Sequence, residues 1–242
     1  MYYTEHFEVS SHDVDRFDVA RPGSVLRYMQ ETANHQMRDQ KPSYMDLFRE
    51  GKAFLLSRMA VTTHLPLHSY DKIDVQTWPV ISRGATFDRC YRIERGGQCV
   101  AEGQAVWALV DVNTHKLYRV TDVDLSNYVH GPLVPVPGLR FQTPDGMPRV
   151  GEHTVAYYET DVNSHLNNTV YPDLLLDFLP AHDGRTVADF SIHLRAEARL
   201  HETLSFYRSD PENTPAGQRL CFRTARADGT PNIDAQVILR TL

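Results

Sequence analysis

The stretch PGSVLRYMQETANHQM, residues 22–37, begins the pattern that decides the fold of this 242-residue chain. Its apolar and small side chains recur at helical spacing, which predicts an amphipathic helix with Ser24 as its N-cap. Four segments with strand character follow, and a single buried helix wrapped by a curved antiparallel sheet would cover the apolar face of that sheet. The segments are residues 53–65, 72–81, 85–95 and 98–111, and the helical positions are Val25, Leu26, Met29, Thr32, Ala33 and Gln36.

The second half of the chain repeats this order of elements. The stretch VYPDLLLDFL, residues 170–179, predicts a short helix that begins at Asn168–Thr169 and tolerates Pro172 in its first turn. Segments with strand character follow at about residues 186–199, 201–208, 217–227 and 232–241. One helix followed by four antiparallel strands, present twice, indicates an internal duplication of an α+β unit.

A short sequence match gives a register between the two halves. Residues 13–15, DVD, precede residues 161–163, DVN, by 148 positions. In this register Phe17 corresponds to His165, and the two predicted helix starts nearly coincide.

Residues 129–151 differ in composition from the rest of the chain, because they hold five prolines and four glycines. Proline removes amide donors and favours extended backbone, so this stretch predicts a connector. We therefore expect a first domain at residues 1–130, a linker at 131–150 and a second domain at 151–242.

The overall composition excludes several classes of protein. Apolar residues make up 41% of the chain, enough for a buried core, and the formal net charge of −6 provides no positive field for nucleic acid or an anionic membrane. The longest apolar run, AVWALV at 105–110, is too short to span a membrane, and no signal or transit peptide is recognisable. Cys90, Cys99 and Cys221 form no disulfide framework. A bacterial, cytoplasmic protein is expected.

The stretch YYETDVNSHLNNTVYPDLLLDF, residues 157–178, holds the side chains best suited to chemistry. Asp161, Asn163 and His165 alternate, so an extended segment would present all three on one face. The predicted helix start that follows offers unpaired amides, which can stabilise negative charge on a carbonyl oxygen. This combination suits hydrolysis of an activated acyl group. Asx residues before a helix also serve as caps and turns, so a purely structural role stays open.

Residues 111–115, DVNTH, share the same letters in another context. They follow a predicted strand and lead into the extended run KLYRV, so a hairpin turn is expected there. His115 is therefore interpreted as a solvated turn residue.

Metal and cofactor chemistry find little support in the sequence. His64 and His68 are four residues apart, but Pro66 between them prevents a shared helical face. His193 and His201 flank Glu197 without forming a recognised ligand motif. Serine-hydrolase and phosphate-loop motifs are missing, and we expect neither a metal nor a cofactor.

Three blocks of the chain resemble one enzyme family. DVNSHLNNTVY, residues 161–171, resembles the D-x-N-x-H-V-N-N-x-x-Y motif of the acyl-acyl carrier protein thioesterases, the plant FatA/FatB-type family and its bacterial relatives. Residues 54–78 and 105–120 resemble two further strand blocks of that family, in the same order. The resemblance implies two tandem hotdog domains and the release of a free fatty acid from an acyl chain linked to phosphopantetheine.

The resemblance also implies the catalytic residues, which are Asp161, Asn163, His165 and Glu197. His165 and Glu197 would activate water and transfer protons, and Asn163 would orient water or the thioester carbonyl. Asp161 would either position this network or attack as a nucleophile. Ala198 stands where the family carries a cysteine once proposed as nucleophile, so a thiolate mechanism lacks its sulfur here.

The two predicted domains are expected to differ in function. Phe17 cannot transfer protons, so the first domain is expected to be catalytically silent. The resemblance implies that this domain encloses the acyl chain instead. It also implies a role in fatty acid biosynthesis. The candidate lining residues are Met29, Leu56, Met59, Trp78 and Trp107.

The implied partner is an acyl carrier protein, and such carriers are strongly acidic. The cations of the second domain therefore suggest a docking patch, with Arg223 as its test residue; the group is Arg195, Arg199, Arg219, Arg223 and Arg226. A solvated strand face explains these arginines equally well. An acyl-CoA thioesterase and a non-catalytic acyl-binding hotdog protein remain alternatives, and a homodimer is possible.

Overall fold

Antiparallel strands form one continuous sheet in the computed structural model of this chain, which describes residues 1–134, 136–180 and 184–241. Two short 3-10 turns lie at Val120–Asp122 and Tyr157–Glu159. No helix in these ranges has the length and apolar character needed to cross a membrane.

The first copy comprises β1 (Tyr3–Glu8), α1 (Pro22–Asp39), α2 (Tyr44–Arg49), β2 (Lys52–Thr63), β3 (Lys72–Pro79), β4 (Phe87–Arg95) and β5 (Gln98–Asp111). The second comprises β6 (Arg149–Thr154), α3 (Tyr171–Leu176), β7 (Arg185–Leu194), β8 (Thr203–Arg208), β9 (Glu212–Thr214), β10 (Gly217–Ala225) and β11 (Pro231–Thr241).

The order of the strands repeats in mirror image about the middle of the sheet. It runs β1-β3-β4-β5-β2 in the first copy and β7-β11-β10-β8-β6 in the second, with β9 paired to β10. Each main strand of one copy thus has a counterpart in the other, which confirms the predicted duplication. The structure adds β1, α2, β6 and β9, which the pattern of one helix and four strands did not include.

The two copies join where β2 pairs with β7. The paired residues run from Arg58 opposite His193 to Thr62 opposite Asp189. The Thr62 hydroxyl donates to the Asp189 carboxylate at 2.6 Å, and both side chains are buried. This central pairing, which we call the seam, makes one sheet of the two copies.

The core lies between the helices and the concave face of the sheet. Met29 of α1 is fully buried, and a Cβ on Gly103 of β5 would lie 2.9 Å from its sulfur, so Gly103 lets the helix pack close to the strand. In β3, Ile73 and Val75 are buried while Asp74 between them is half-buried, as the predicted alternation requires. The fold is that of two tandem hotdog domains, as predicted.

The start of α1 differs from the prediction. Pro22 is the first helical residue and Arg21 is the N-cap. Ser24 lies inside the first turn, fully buried, and its hydroxyl donates to the carbonyl of Asp13 at 2.8 Å. The predicted cap was wrong because the Ser24 hydroxyl bonds to the neighbouring loop. Proline at the first helical position has no N–H group that would need an acceptor.

A close contact connects the helices of the two copies. The amide of Gly23 in α1 donates to Asp173 Oδ1 of α3 at 2.9 Å, and Arg27 lies 3.5 Å from the same carboxylate. A Cβ on Gly23 would lie 2.4 Å from Asp173 Oδ2. Burial raises the pKa of Asp173, although this hydrogen bond and the nearby arginines oppose the shift.

We expect Gly23→Ala to lower the free energy of unfolding by about 1–3 kcal/mol, because the added methyl displaces Asp173 and breaks its hydrogen bond. In an Asp173→Ala background the same substitution should be neutral or stabilising, since alanine is the better helix former. Chemical denaturation of the four variants of this cycle measures the coupling. Equal costs in both backgrounds would contradict the contact.

Candidate active site

Residues 161–165 form a tight turn rather than the extended segment that their alternation predicts. The amide of Asp161 donates to the carbonyl of His165 at 2.9 Å, and Ser164 adopts a φ of 62°. The carboxylate of Asp161 accepts a hydrogen bond from the amide of Asn163 at 2.8 Å. The prediction of an extended strand was wrong because the Asp161 side chain closes an Asx turn on its own backbone.

The turn places His165 beside Glu197. His165 Nε2 lies 3.1 Å from Glu197 Oε2, with the imidazole 24% exposed and the carboxylate 57% exposed. The backbone fixes this approach, because His165 forms a β-bridge with Arg199 and the amide of Leu166 donates to the carbonyl of Ala198 at 2.8 Å. An imidazole and a carboxylate in this contact can take up and release a proton at the protein surface.

Asp161 and Asn163 form a second polar pair on the same turn. Asn163 Nδ2 lies 3.5 Å from Asp161 Oδ2, and the Asn163 side chain is exposed. The backbone of the turn connects this pair to His165. The four predicted residues therefore lie on two adjoining loops.

The helix that follows starts later than predicted. α3 begins at Tyr171 and has six residues. The amide of Thr169 is already bonded to Asn167 Oδ1 at 3.0 Å. The prediction of free amides at Asn168–Thr169 was therefore wrong, because the Asn167 side chain satisfies this donor before the helix begins.

The first copy contains the same turn, which corrects the register between the halves. The amide of Asp15 donates to the carbonyl of Val19 at 2.8 Å, and the amide of Phe17 donates to Asp15 Oδ1 at 2.8 Å. These bonds match those of residues 161–165 with an offset of 146 rather than 148. Val19, not Phe17, therefore corresponds to His165. The sequence match misled because it aligned similar letters instead of the residue that closes the turn.

The second loop of the site also has a counterpart. The amide of Ala20 donates to the carbonyl of Leu67 at 2.8 Å, as Leu166 donates to Ala198 in the second copy. Leu67 thus corresponds to Ala198, and Pro66 corresponds to Glu197. Valine and proline stand where the second copy has its imidazole and carboxylate.

A small apolar cavity lies at this place in the first copy. Its volume is about 20 Å³, roughly the space of one water molecule. Residues from both copies line it, because β7 of the second copy passes beside the turn at residues 15–19. They include Val19, Leu26, Pro66, Val187 and Phe190.

The predicted lining residues separate into two groups. Met29 and Met59 are buried in the core, and Leu56 and Trp107 pack against it while partly exposed. Trp78 is buried on the other face of the sheet, where it stacks on Tyr2 at 4.3 Å between ring centroids. Its Nε1 donates to the carbonyl of Pro132 at 2.9 Å. The prediction that Trp78 lines the interior was wrong because the connector covers this ring from outside.

The arginines of the second copy are mostly paired with carboxylates. Arg223 Nε donates to the buried Asp234 at 2.8 Å, and Arg195 binds the other oxygen of that carboxylate. Burial acts to raise the pKa of Asp234, but these two hydrogen bonds bring it below its usual value. Arg219 pairs with Glu212, and Arg226 pairs with Glu202. Arg223 is thus committed to the fold and does not fit its predicted docking role.

Arg199 is the exception in this group. Its side chain is exposed and has no carboxylate partner among the described residues, while its backbone is bridged to His165. The sequence placed Arg199 in the run HLRAEARL beside Glu197, but nothing there distinguished it from its paired neighbours.

Two histidines that the sequence analysis considered as metal ligands contact protein groups. His193 Nε2 donates to the carbonyl of Leu139 at 2.9 Å, and its ring lies 4.2 Å from that of Phe141. Burial lowers the pKa of His193. His68 Nδ1 contacts the carbonyl of Asp18 at 2.6 Å. Both rings therefore serve the packing of loops.

The fold and the site together define a tandem hotdog protein whose second copy carries an imidazole–carboxylate pair. Residues 1–128 match the N-terminal domain of the acyl-ACP (acyl carrier protein) thioesterases, and residues 144–237 match their C-terminal domain. The chain belongs to the acyl-ACP thioesterase family.

Individual relatives are distant in sequence. A palmitoyl-acyl carrier protein thioesterase of Cuphea hookeriana is 19% identical over 95% of this chain, which spans 60% of that relative's length. Among solved structures, an acyl-ACP thioesterase from Bacteroides thetaiotaomicron is 20% identical, with a TM-score of 0.84 over 98% of this chain and 97% of its own. A 12:0-ACP thioesterase from Umbellularia californica is 15% identical, with a TM-score of 0.83 over 99% and 97%. These structures share the fold over nearly the whole chain.

Proposed function

We propose that this protein hydrolyses the thioester of fatty acyl-ACP and releases a free fatty acid. The contact of 3.1 Å between His165 Nε2 and Glu197 Oε2 carries the proposal, because a protein that only binds acyl chains needs no such pair. Membership of the acyl-ACP thioesterase family supports the substrate class.

Glu197 orients the imidazole in the proposed mechanism. The Glu197 carboxylate beside Nε2 favours the imidazole tautomer that carries its proton on Nε2. The Nδ1 lone pair of His165 then takes a proton from a water molecule as the water oxygen attacks the thioester carbon. The tetrahedral intermediate then expels the thiolate, which receives the proton from Nδ1. The net reaction adds one water across the carbon–sulfur bond.

Asn163 and Asp161 have supporting roles in this proposal. The exposed side-chain amide of Asn163 has two N–H groups, and the one that does not face Asp161 donates to the thioester oxygen, where negative charge develops. Asp161 Oδ1 already accepts a hydrogen bond of 2.8 Å from the backbone amide of Asn163, which favours a positioning role for Asp161 over nucleophilic attack.

We propose that the first copy is catalytically silent and that it helps to enclose the acyl chain. β2 and β7 are equivalent strands of the two copies, and Ala60 and Ser191 face each other at the centre of their pairing. A residue of β2 therefore corresponds to the residue of β7 that lies the same number of positions before or after Ser191. Leu56 thereby corresponds to Val187, which lines the small cavity beside Val19. This correspondence directs Leu56 towards the same place beside His165, and Met59 follows it along β2.

We propose that the carrier protein docks on the surface around the turn, which we call the rim: Tyr157, Tyr158, Val162 and Arg199. The first three are among the most exposed large apolar side chains, at 81%, 83% and 100%. Such exposure next to a site is typical of a contact surface. The chain has a net charge of −6, so an acidic carrier protein needs a local positive charge at the place where it binds. Arg199 supplies that charge at the rim.

The proposed substrate carries further expectations. Release of fatty acids from a carrier protein belongs to fatty acid biosynthesis. The three cysteines are free thiols, which supports the proposed location in a reducing cytoplasm. A homodimer stays a prediction, since the seam already joins two hotdog copies within one chain.

His165→Ala is expected to lower kcat for thiol release from acyl-ACP by about 10²–10⁴-fold, because it removes the proton acceptor. Glu197→Gln should lower kcat as well. His115→Ala is the matched control, since it lies in the similar turn at residues 111–115 and should leave the rate unchanged. A chromogenic thiol assay measures all three. Wild-type protein that binds acyl-ACP but releases no thiol would favour the acyl-binding alternative.

Leu56→Phe is expected to shift the preference towards shorter acyl chains, because the larger ring takes space from the chain. The ratio of kcat/KM values across a series of acyl-ACP chain lengths measures the shift. Leu55→Phe is the control, since Leu55 precedes Leu56 in β2 and is exposed on the other face of the sheet. An unchanged profile in a stable Leu56→Phe variant would exclude this lining role.

Arg199→Glu is expected to raise KM for acyl-ACP several-fold while KM for acyl-CoA changes little, because the carrier protein loses its cationic contact. Arg219→Glu is the control, as Arg219 is an exposed arginine already paired with Glu212. Equal effects of Arg199→Glu on both substrates would count against carrier docking at the rim and would favour the acyl-CoA alternative.

A further inference from the structure

Three side chains with metal-ligating atoms meet on the first copy at one end of the seam, where Glu102 lies opposite Thr62. His64 Nε2, Cys99 Sγ and a carboxylate oxygen of Glu102 all lie within 4.8 Å of one another. Cys99 and Glu102 belong to β5, and His64 directly follows the last residue of β2. The amide of His64 donates to the carbonyl of Val100 at 2.8 Å, so the strand pairing itself holds the three ligands together.

The distance between the imidazole of His64 and the carboxylate of Glu102 suits a metal ion bound between them. His64 Nε2 and Glu102 Oε2 are 3.4 Å apart, which is long for a hydrogen bond between nitrogen and oxygen. Zinc binds nitrogen and oxygen at roughly 2.0–2.2 Å in a tetrahedron, and this geometry sets two ligand atoms about 3.3–3.5 Å apart. A cation between His64 and Glu102 therefore needs almost no movement of these atoms.

We propose that His64, Cys99 and Glu102 form a zinc site in which water supplies the fourth ligand. Imidazole, thiolate and carboxylate are all ligands that Zn²⁺ accepts, and three protein ligands leave one position open. The site is independent of thioester hydrolysis, and it departs from the sequence-based expectation that the chain binds no metal.

Neighbouring groups orient the ligands. Arg92 Nη2 donates to Glu102 Oε1 at 3.1 Å, and the other oxygen, Oε2, faces His64. Glu94 lies opposite Cys99 across β4 and β5, and its charge offsets that of Arg92. Burial, with a smaller contribution from Glu102, raises the pKa of Cys99, so zinc must displace the thiol proton to bind.

The other nearby histidine lies outside this set. His68 Nδ1 contacts the carbonyl of Asp18 at 2.6 Å, and the ring belongs to the loop that packs beside the first-copy turn. His68 is as exposed as His64, at 45% against 42% of the side chain, and it makes a matched control.

Because zinc would bridge the end of β2 to β5, binding should stabilise the first copy. A ligand that binds only the folded chain adds RT ln(1 + [L]/Kd) to its stability, so the melting temperature should rise with zinc concentration. This effect needs no acyl substrate, and it separates the zinc proposal from the proposed enzymatic function.

The test is a calorimetric titration of ZnCl₂ into the full chain after removal of metals with a chelator. We expect one zinc per chain, with Kd raised at least about 10-fold in His64→Ala and Cys99→Ala and unchanged in His68→Ala. Titration with Co²⁺ should give a thiolate-to-cobalt charge-transfer band that Cys99→Ala lacks. Circular dichroism checks that each variant folds, and Cys99→Ser replaces Cys99→Ala if it does not.

Two results would overturn the proposal. One is the absence of saturable zinc binding by the wild-type chain. The other is a Kd for zinc that stays the same when Cys99 or His64 is replaced in a folded variant, since the metal would then be held elsewhere.

Discussion

The pairing of β2 with β7 is the interaction on which the rest of this structure depends. Each hotdog sheet alone would end in an unpaired edge strand, and edge strands of this length invite association with other chains. Joining them pairs both edges and carries β7 across the turn of the first copy. A slip by one residue would turn every side chain of these strands to the wrong face. The buried bond between Thr62 and Asp189 opposes such a slip, so the register of the seam and the geometry of the site are fixed together.

The two copies use one backbone device for two purposes. Both contain an Asx turn that the same pair of hydrogen bonds closes, at Asp15 and at Asp161. The residue after each turn, Ala20 or Leu166, donates its amide to a second loop, at Leu67 or Ala198. What differs is the side chain at two positions, where the first copy has valine and proline and the second copy has an imidazole and a carboxylate. The fold thus supplies the positions, and the chemistry depends on which residues stand there.

The sequence predicted α1, α3 and most strands because apolar periodicity reports burial, and burial decides these elements. The closeness of Glu197 and His165 came from the family resemblance, since residues 32 positions apart have no spacing rule that joins them. The register between the halves failed by two residues because letters were matched without the turn that fixes the backbone. Trp78 and Arg223 failed for a related reason. Hydropathy does not tell which face of a sheet a ring occupies, and charge does not tell which carboxylate lies on the next strand.

The mirror order of the strands has a consequence for how such a protein can change over time. In a symmetric dimer encoded by a single gene, every substitution occurs twice, and any loss at one centre is a loss at both. Fusion of the two copies removes that restriction. Val19 and Pro66 stand where the second copy has His165 and Glu197, so the two halves differ at this pair of positions. Each half of a fused chain can therefore change at such a position without the same change in the other half.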